Sequence, residues 1–309
     1  MTESEPRRSL ILATCCLSLF LVSMDVTIVN VALPSIATDL HATMTDLQWS
    51  IDAYTVVIAS FLMLAGSTAD RLGRRRVFQT GLAVFSLGSL LCSVSPNLGA
   101  LVGFRVVQAL GGAMLNPVAM SIIVNTFTDP RERARAIGVW GAVFGISMAL
   151  GPLLGGLLVE TVGWRSIFWI NVPVALAAIA LTAKFVPESR AATTRRVDPI
   201  GQILVVVLLG ALTSALIEGP LAGWGSPLIV GGFAAAIAAI VAFVAYERRR
   251  AEPLVDIRFF RSWPFSAATV LAVIAFAAFN GFLFLSSLYL QDTRGLPAAR
   301  AGACMLPIA

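Results

Sequence analysis

A chain of 309 residues that is 58% hydrophobic and only 13% charged, with a mean hydropathy of +0.86, falls outside the composition of soluble globular proteins and reads as a membrane protein. Its net charge of +5 is parcelled into alternate short loops with no extended basic face, which argues against a nucleic-acid partner. The four cysteines, Cys15, Cys16, Cys92 and Cys304, lie in apolar segments without metal-ligand spacing and His41 is the only histidine, so neither disulfides nor a metal centre is expected.

Apolar runs of about 20 residues, the length of helix that crosses a ~30 Å hydrocarbon core, are predicted at 10–33, 47–69, 77–95, 98–124, 136–159, 166–186, 200–218, 227–246 and 264–290. A tenth begins near Ala298, and the chain stops inside it. Strict alternation of apolar and polar residues is absent, which argues against an outer-membrane barrel and for an all-α membrane protein, a helical bundle. The first run follows Arg7 and Arg8 but is too long for a secretory signal and ends without a small-residue cleavage site, so it is read as a retained helix.

Orientation follows from the basic residues. Of the 22 Lys and Arg, 18 fall in alternate loops or beside them: Arg7 and Arg8; Arg71 and Arg74 to Arg76; Arg131, Arg133 and Arg135; Lys184, Arg190, Arg195 and Arg196; Arg248 to Arg250, Arg258 and Arg261. Only Arg165, Arg294 and Arg300 fall on the other side, and Arg105 lies within a span. Retained positive charge marks the cytoplasmic side, so the N-terminus is predicted to be cytoplasmic. Trp49, Trp164, Trp169 and Trp224 then lie near the outer boundary and Trp263 near the inner one, as an interfacial belt.

The first span carries Asp25 in MDVTIVNVALP, Met24 to Pro34. A carboxylate near a helix centre costs about 2.5 kcal/mol or more on insertion scales, so it is expected to face protein or a wet cavity and to be functional. Asp52, near the outer end of the second span, is a weaker candidate that hydration alone would explain. Between the second and third spans GSTADRLGRRR, Gly66 to Arg76, places Asp70, a turn glycine at Gly73 and a basic cluster in one short loop, a cytoplasmic hairpin.

The fourth span, within LVGFRVVQALGGA from Leu101 to Ala113, holds Arg105 as its only ion. Asp25 lies eight residues from Leu33 and Arg105 eight from Asn97, at the outer ends of their spans, roughly 12 Å deep at ~1.5 Å per residue, so they either meet or share one hydrated pocket. If the first six spans are inverted three-helix repeats, spans one and four are equivalent, and each carries its repeat's deepest charge. In the fifth span, Gly138 to Leu158, Ser147, Gly151 and Gly155 recur every four positions as one smooth face, with Pro152 able to bend the helix. Ordinary helix packing is the commoner meaning of that spacing. Trp140, Phe144 and Met148 could line a pocket on the same helix, although packing explains them equally.

Four of these segments in order resemble the major facilitator superfamily. Gly66 to Arg76, with Gly66, Asp70, Arg71, Gly73, Arg74 and Arg75, resembles its loop motif between helices two and three. Asp25 to Pro34 resembles the first-helix motif of the drug:proton antiporter branch, and Leu101 to Ala113 the fourth-helix motif that carries the proton-coupling arginine. Gly138 to Gly156, with Gly138, Ser147, Gly151, Pro152, Gly155 and Gly156, resembles the fifth-helix antiporter motif. Two departures are Ala109 and Ser147, where the motifs usually have glycine; both are small.

The later segments narrow the branch. After GWRSIFWINVPV, Gly163 to Val174, a basic loop leads to spans seven and eight, joined by EGPLAGWGSP, Glu218 to Pro227. A second basic loop with PLVDIRFFR precedes span nine, an arrangement similar to the fourteen-helix drug transporters. The resemblance implies a six-helix bundle at 1–189, an inserted two-helix hairpin with basic loops at 190–262, and the start of an incomplete second bundle at 263–309. Fourteen spans need well over ~400 residues, so the chain is expected to be C-terminally truncated.

The activity so implied is proton-driven export of drugs or other small amphipathic compounds, hydrophobic or cationic, by alternating access in the bacterial plasma membrane. Protons and the bilayer are the other partners, and the proton gradient is the energy source with no cofactor. Asp25 would carry the proton and the cation, Arg105 would tune Asp25 and respond to its charge, and Asp70 would belong to an inner gate closing against the second bundle. A dedicated exporter of one native metabolite, or an inactive fragment, stays open as an alternative. An enzyme is not expected, because the chain has no paired histidines, nucleophile elbow or phosphate-cradling loop.

Overall fold

The computed structural model describes residues 5–191, 198–250 and 253–305, and its regular structure is helical throughout those residues. In chain order the helices are α1 (Glu5–Leu40), α2 (Met44–Leu72), α3 (Arg74–Ser93), α4 (Leu98–Thr126), α5 (Pro130–Thr161), α6 (Ser166–Phe185), α7 (Pro199–Ala222), α8 (Pro227–Glu247), α9 (Trp263–Leu288) and α10 (Ala298–Met305). Among the described residues, nine of these are long and apolar enough to cross a membrane. All nine correspond to the expected runs. Arg195 and Arg196, counted above among the loop charges, lie outside the described residues.

Local chemistry sets the helix starts. Thr43 and Asp46 form a reciprocal capping box at α2, and the Asn97 side chain accepts from Ala100 N at 2.9 Å at α4. Asp129 and Asp198 each cap a helix whose first residue is proline, Pro130 in α5 and Pro199 in α7. Proline suits that position because its missing N–H is one the helix would leave unpaired anyway.

The largest boundary difference from expectation is at the end of α1. The first span was predicted to end at Leu33, before Pro34, yet α1 runs on to Leu40. Proline frees the carbonyl four residues back, and here the Ser287 hydroxyl donates to Asn30 O at 2.6 Å while Gln291 Nε2 donates to Val31 O at 3.0 Å. A break in the backbone ladder is tolerated within lipid where neighbouring side chains satisfy the freed groups. The donors lie some 250 residues away in sequence, out of reach of any local reading.

The chain forms two compact units, Met1–Thr194 with Ser287–Ala309, and Arg195–Ser286. In the first, α1 packs chiefly on α5, and α4 on α2 and α3. The exchange of α1·α5 for α4·α2 is the pairing expected of two related three-helix repeats. Its core joins Leu82 and Phe85 of α3 to Leu115, Val118 and Ile122 of α4 and Ala175 and Ala178 of α6.

Small residues set the helix separations. The smooth face read on α5 is buried: a Cβ on Gly151 would collide with the Thr27 hydroxyl of α1, and one on Gly155 would meet Ile28. Gly156 lies against Ala298, and Pro152 O against Gly302, so the adjoining face of α5 receives α10. On α3, Gly88 lies against the backbone of Gln108 in α4, and Gly111 of α4 against the backbone of Phe85.

In the second unit α7 and α8 form a hairpin turned by Gly223, at φ 82. Trp224 stacks on Phe233 with centroids 6.5 Å apart, and its ring lies against Gly219. The ninth helix is mostly exposed, with several large apolar side chains on its surface.

Gly151→Ala must push α5 off α1, and we expect a loss of about 1–3 kcal/mol of stability, read as a lower unfolding midpoint in detergent. Gly145→Ala, where nothing lies within 4 Å of the new Cβ, should leave the midpoint unchanged or raise it.

Candidate functional site

Two ions lie in the interior of the first unit. Asp25 is 0% exposed and Arg105 2%, and Arg105 Nη1 donates to Asp25 Oδ2 at 2.5 Å. Of the two arrangements left open by their equal depth, the structure shows direct contact. Asp25 Oδ1 accepts from Gln108 Nε2 at 2.8 Å and from Asn171 Nδ2 at 2.9 Å. Arg105 Nη1 also donates to Gln108 Oε1 at 2.8 Å and Nε to Ser50 O at 3.4 Å, while the guanidinium lies 3.9 Å from the Tyr54 ring centroid and 5.9 Å from that of Phe168.

Each partner is placed by its own helix. Gln108 follows Arg105 by three residues, so both project from one face of α4. Gly88 lets α3 approach the Gln108 backbone closely enough to fix that register. Ser50 and Tyr54, four residues apart, share a face of α2. Asn171 starts the main part of α6, after the helix is interrupted at Ile170. Its Nδ2 also donates to Ser89 Oγ at 3.0 Å, and that hydroxyl donates to Phe168 O at 2.8 Å. Asp52 sits about 200° around α2 from both Ser50 and Tyr54, half-buried and outside this network.

The arrangement has a defined chemical capacity. Arginine keeps its proton in proteins, so Asp25 is the member of the pair that can gain or lose one. While Asp25 is ionised the two charges cancel; when it is protonated, the buried guanidinium loses its counter-charge and retains only neutral acceptors. Among the described residues no group of three or more His, Cys, Asp or Glu side chains is placed to hold a metal.

The loop between α2 and α3 is the second feature. Gly73 takes φ 115, a conformation that side chains resist, and a Cβ there would fall 2.5 Å from the Glu188 carboxylate. Asp70 Oδ1 accepts from Arg74 Nη2 at 2.8 Å across that turn. The basic residues then grip the last turn of α6 and the chain beyond it: Arg74 N donates to Ser189 O at 2.9 Å, Arg75 N to Glu188 Oε1 at 3.1 Å and Arg75 Nη2 to Ala183 O at 2.6 Å. Arg76 Nε lies 3.6 Å from Glu188 Oε2, and Ala191 N donates back to Asp70 O at 3.1 Å. Arg71 is exposed, and Gly66 makes only ordinary contact with Pro117. At the opposite end, Arg165 pairs with Asp39 at 2.6 Å and donates to Ser95 O at 3.3 Å, and Trp164 Nε1 donates to Asp39 at 3.0 Å.

Of the antiporter-motif residues, Ser147, Gly151, Pro152, Gly155 and Gly156 are buried, whereas Gly138 is exposed with open space around it. Sequence reading named Asp25 and Arg105 but missed Gln108, Asn171 and Glu188. The signal for Gln108 was its three-residue spacing from Arg105. Asn171 stood out only as an amide in an apolar run.

Residues 15–201 match the Major Facilitator Superfamily. The chain is 38% identical over 291 residues to the multidrug resistance protein Stp of Mycobacterium tuberculosis (strain CDC 1551 / Oshkosh), covering 94% of itself and 54% of that protein. It is 39% identical to the tetracenomycin C resistance and export protein of Streptomyces glaucescens, over 96% of itself and 55% of the relative. It is 37% identical to the methylenomycin A resistance protein of Bacillus subtilis (strain 168), over 96% and 64%. The chain thus spans between about half and two thirds of the length of these curated relatives. A crystal structure of a bacterial homologue of the human lysosomal transporter Spinster, inward-facing and occupied, superposes with a TM-score of 0.53 at 22% identity, covering 98% of this chain and 74% of that one. That likeness shows the fold.

Arg105→Leu strands a buried carboxylate and should lower stability by about 3–5 kcal/mol; adding Asp25→Asn should recover most of it in a double-mutant cycle of detergent unfolding. Glu188→Ala removes the acceptor of Arg75 N and the partner of Arg76, and amide hydrogen exchange across 73–76 should accelerate while exchange in α4 stays unchanged.

Proposed function

The chain belongs to the major facilitator superfamily, and we propose that it serves the export of drugs or other small amphipathic compounds, hydrophobic or cationic, by alternating access driven by protons. In this reading it is a multi-pass protein of the bacterial plasma membrane with a cytoplasmic N-terminus. The export function is supported by relatives named for multidrug resistance and for antibiotic resistance and export. The orientation is supported by the crowding of arginine at the end of the bundle that holds Arg8, Arg74 to Arg76, Arg131 and Arg135.

The observation that carries the proton role is the buried Asp25–Arg105 pair with its Gln108 and Asn171 donors. Protonating Asp25 removes the attraction that joins α1 to α4 at that depth, so proton occupancy and helix arrangement are coupled through one contact. Asp70 and its arginines serve as the gate at the cytoplasmic end.

Transport is tested in everted vesicles from a strain without its own pumps, with ethidium as the probe. A pH gradient should drive ethidium uptake that a proton ionophore collapses, Asp25→Asn should abolish it at normal expression, and Asp52→Asn should retain most of it. Uptake by Asp25→Asn equal to that of the unaltered chain would overturn the assignment. A second reading, a dedicated exporter of one native compound, is favoured by the two relatives named for single antibiotics, tetracenomycin C and methylenomycin A. Resistance to several unrelated cations in that strain supports the broad exporter, and rescue from one compound alone supports the dedicated one.

A further inference from the structure

We infer that the turn between α8 and α9 is a binding site for the phosphate headgroup of an anionic phospholipid. The last turn of α8 and the 3₁₀ turn Ile257–Arg261 enclose a cavity of about 500 Å³ whose walls include Arg248, Arg250, Arg258 and Arg261. Guanidinium groups bind phosphate oxygens through paired N–H donors, and four converging on one cavity of this size suit a headgroup.

Two carboxylates also line the cavity, each with one oxygen held by the backbone, and Glu247 Oε1 is buried without a hydrogen-bond partner. Glu247, 3% exposed, accepts from Leu254 N at 2.6 Å, and Asp256 Oδ1 accepts from Arg258 N at 3.0 Å. Among the described residues no ion pair joins Arg248, Arg258 or Arg261 to a carboxylate. Arg250 lies 3.7 Å from Asp198, and its buried Nε makes no hydrogen bond. The cavity therefore holds positive charge and unused donors.

The surroundings select a lipid over a soluble anion. Phe259, Phe260 and Trp263, the last 82% exposed, alternate with Arg258 and Arg261, and Phe259 and Phe260 both pack on Phe265, with centroids 5.6 and 5.3 Å apart. Exposed aromatic rings beside arginines, at the foot of a membrane-length helix, place this turn at the lipid interface, where rings enter the acyl boundary and cations meet phosphates. The site is independent of the proton pair and of the identity of any exported compound.

The test is tryptophan quenching in phosphatidylcholine vesicles containing the purified chain, with the Trp263 signal taken as the difference from Trp263→Phe. Dibrominated phosphatidylglycerol should quench Trp263 more than dibrominated phosphatidylcholine at the same mole fraction. Each arginine near an anionic surface favours binding roughly fivefold, so the combined replacement Arg248→Gln, Arg258→Gln and Arg261→Gln should reduce the preference by about tenfold or more. The corresponding Lys replacements should keep most of it. Equal quenching by both lipids in the unaltered chain, or a preference that survives the Gln replacements, would overturn the site. Loss of the preference on adding glycerol 3-phosphate would reassign it to a soluble phosphate ester.

Discussion

An ion pair in an apolar interior constrains everything around it. Removing a carboxylate and a guanidinium from water costs several kcal/mol for each ion even after relaxation, and their attraction offsets this only when the remaining donors and acceptors are also satisfied. Gln108, Asn171, Ser50 and the face of Tyr54 supply the partners of Asp25 and Arg105, while Asn171 Oδ1 beside them stays buried without a hydrogen-bond partner. Those groups come from α1, α2, α4 and α6, so four helices must hold their register together. The close seams between Gly88 and Gln108, and between Gly111 and Phe85, belong to the same requirement, because α3 fixes where α4 can stand.

Much of this was legible before any coordinates. Nine apolar runs appeared where the helices are, since lipid thickness imposes one length on every span. Asp25 and Arg105 stood out because ions are expensive in spans, and counting residues gave them a common depth. The small face of α5 was readable from its period of four. What escaped was whatever depended on a second helix. Gln108 and Asn171 are unremarkable amides until the carboxylate lies between them, and Glu188 sits in a loop where acids are common. The end of the first span, expected at Leu33, was missed for the same reason: the helix runs on past Pro34 where Ser287 donates to the carbonyl that proline frees.

Both ends of the first bundle are cross-tied by charge. At one end Glu188 receives Arg75 and Arg76 of the first turn of α3; at the other Arg165 joins Asp39 to Ser95. These exposed contacts are individually weak. Their value is positional, since each ties a loop to a helix end that is remote in sequence. With the buried pair at mid-depth, they tie α1, α2, α3 and α6 to one another at three levels of the bundle.

The repair at Pro34 has a bearing on biosynthesis. A membrane chain emerges from the ribosome N-terminus first, so α1 enters the bilayer well before α9. The donors for Asn30 O and Val31 O, Ser287 and Gln291, follow some 250 residues later in the chain. Until they are synthesised, Asn30 O, which Pro34 deprives of its helical donor, lacks the Ser287 hydroxyl that satisfies it here. Helix α1 is thus completed by groups some 250 residues further along the chain, and a ribosome stalled before residue 287 would leave Asn30 O and Val31 O without those donors.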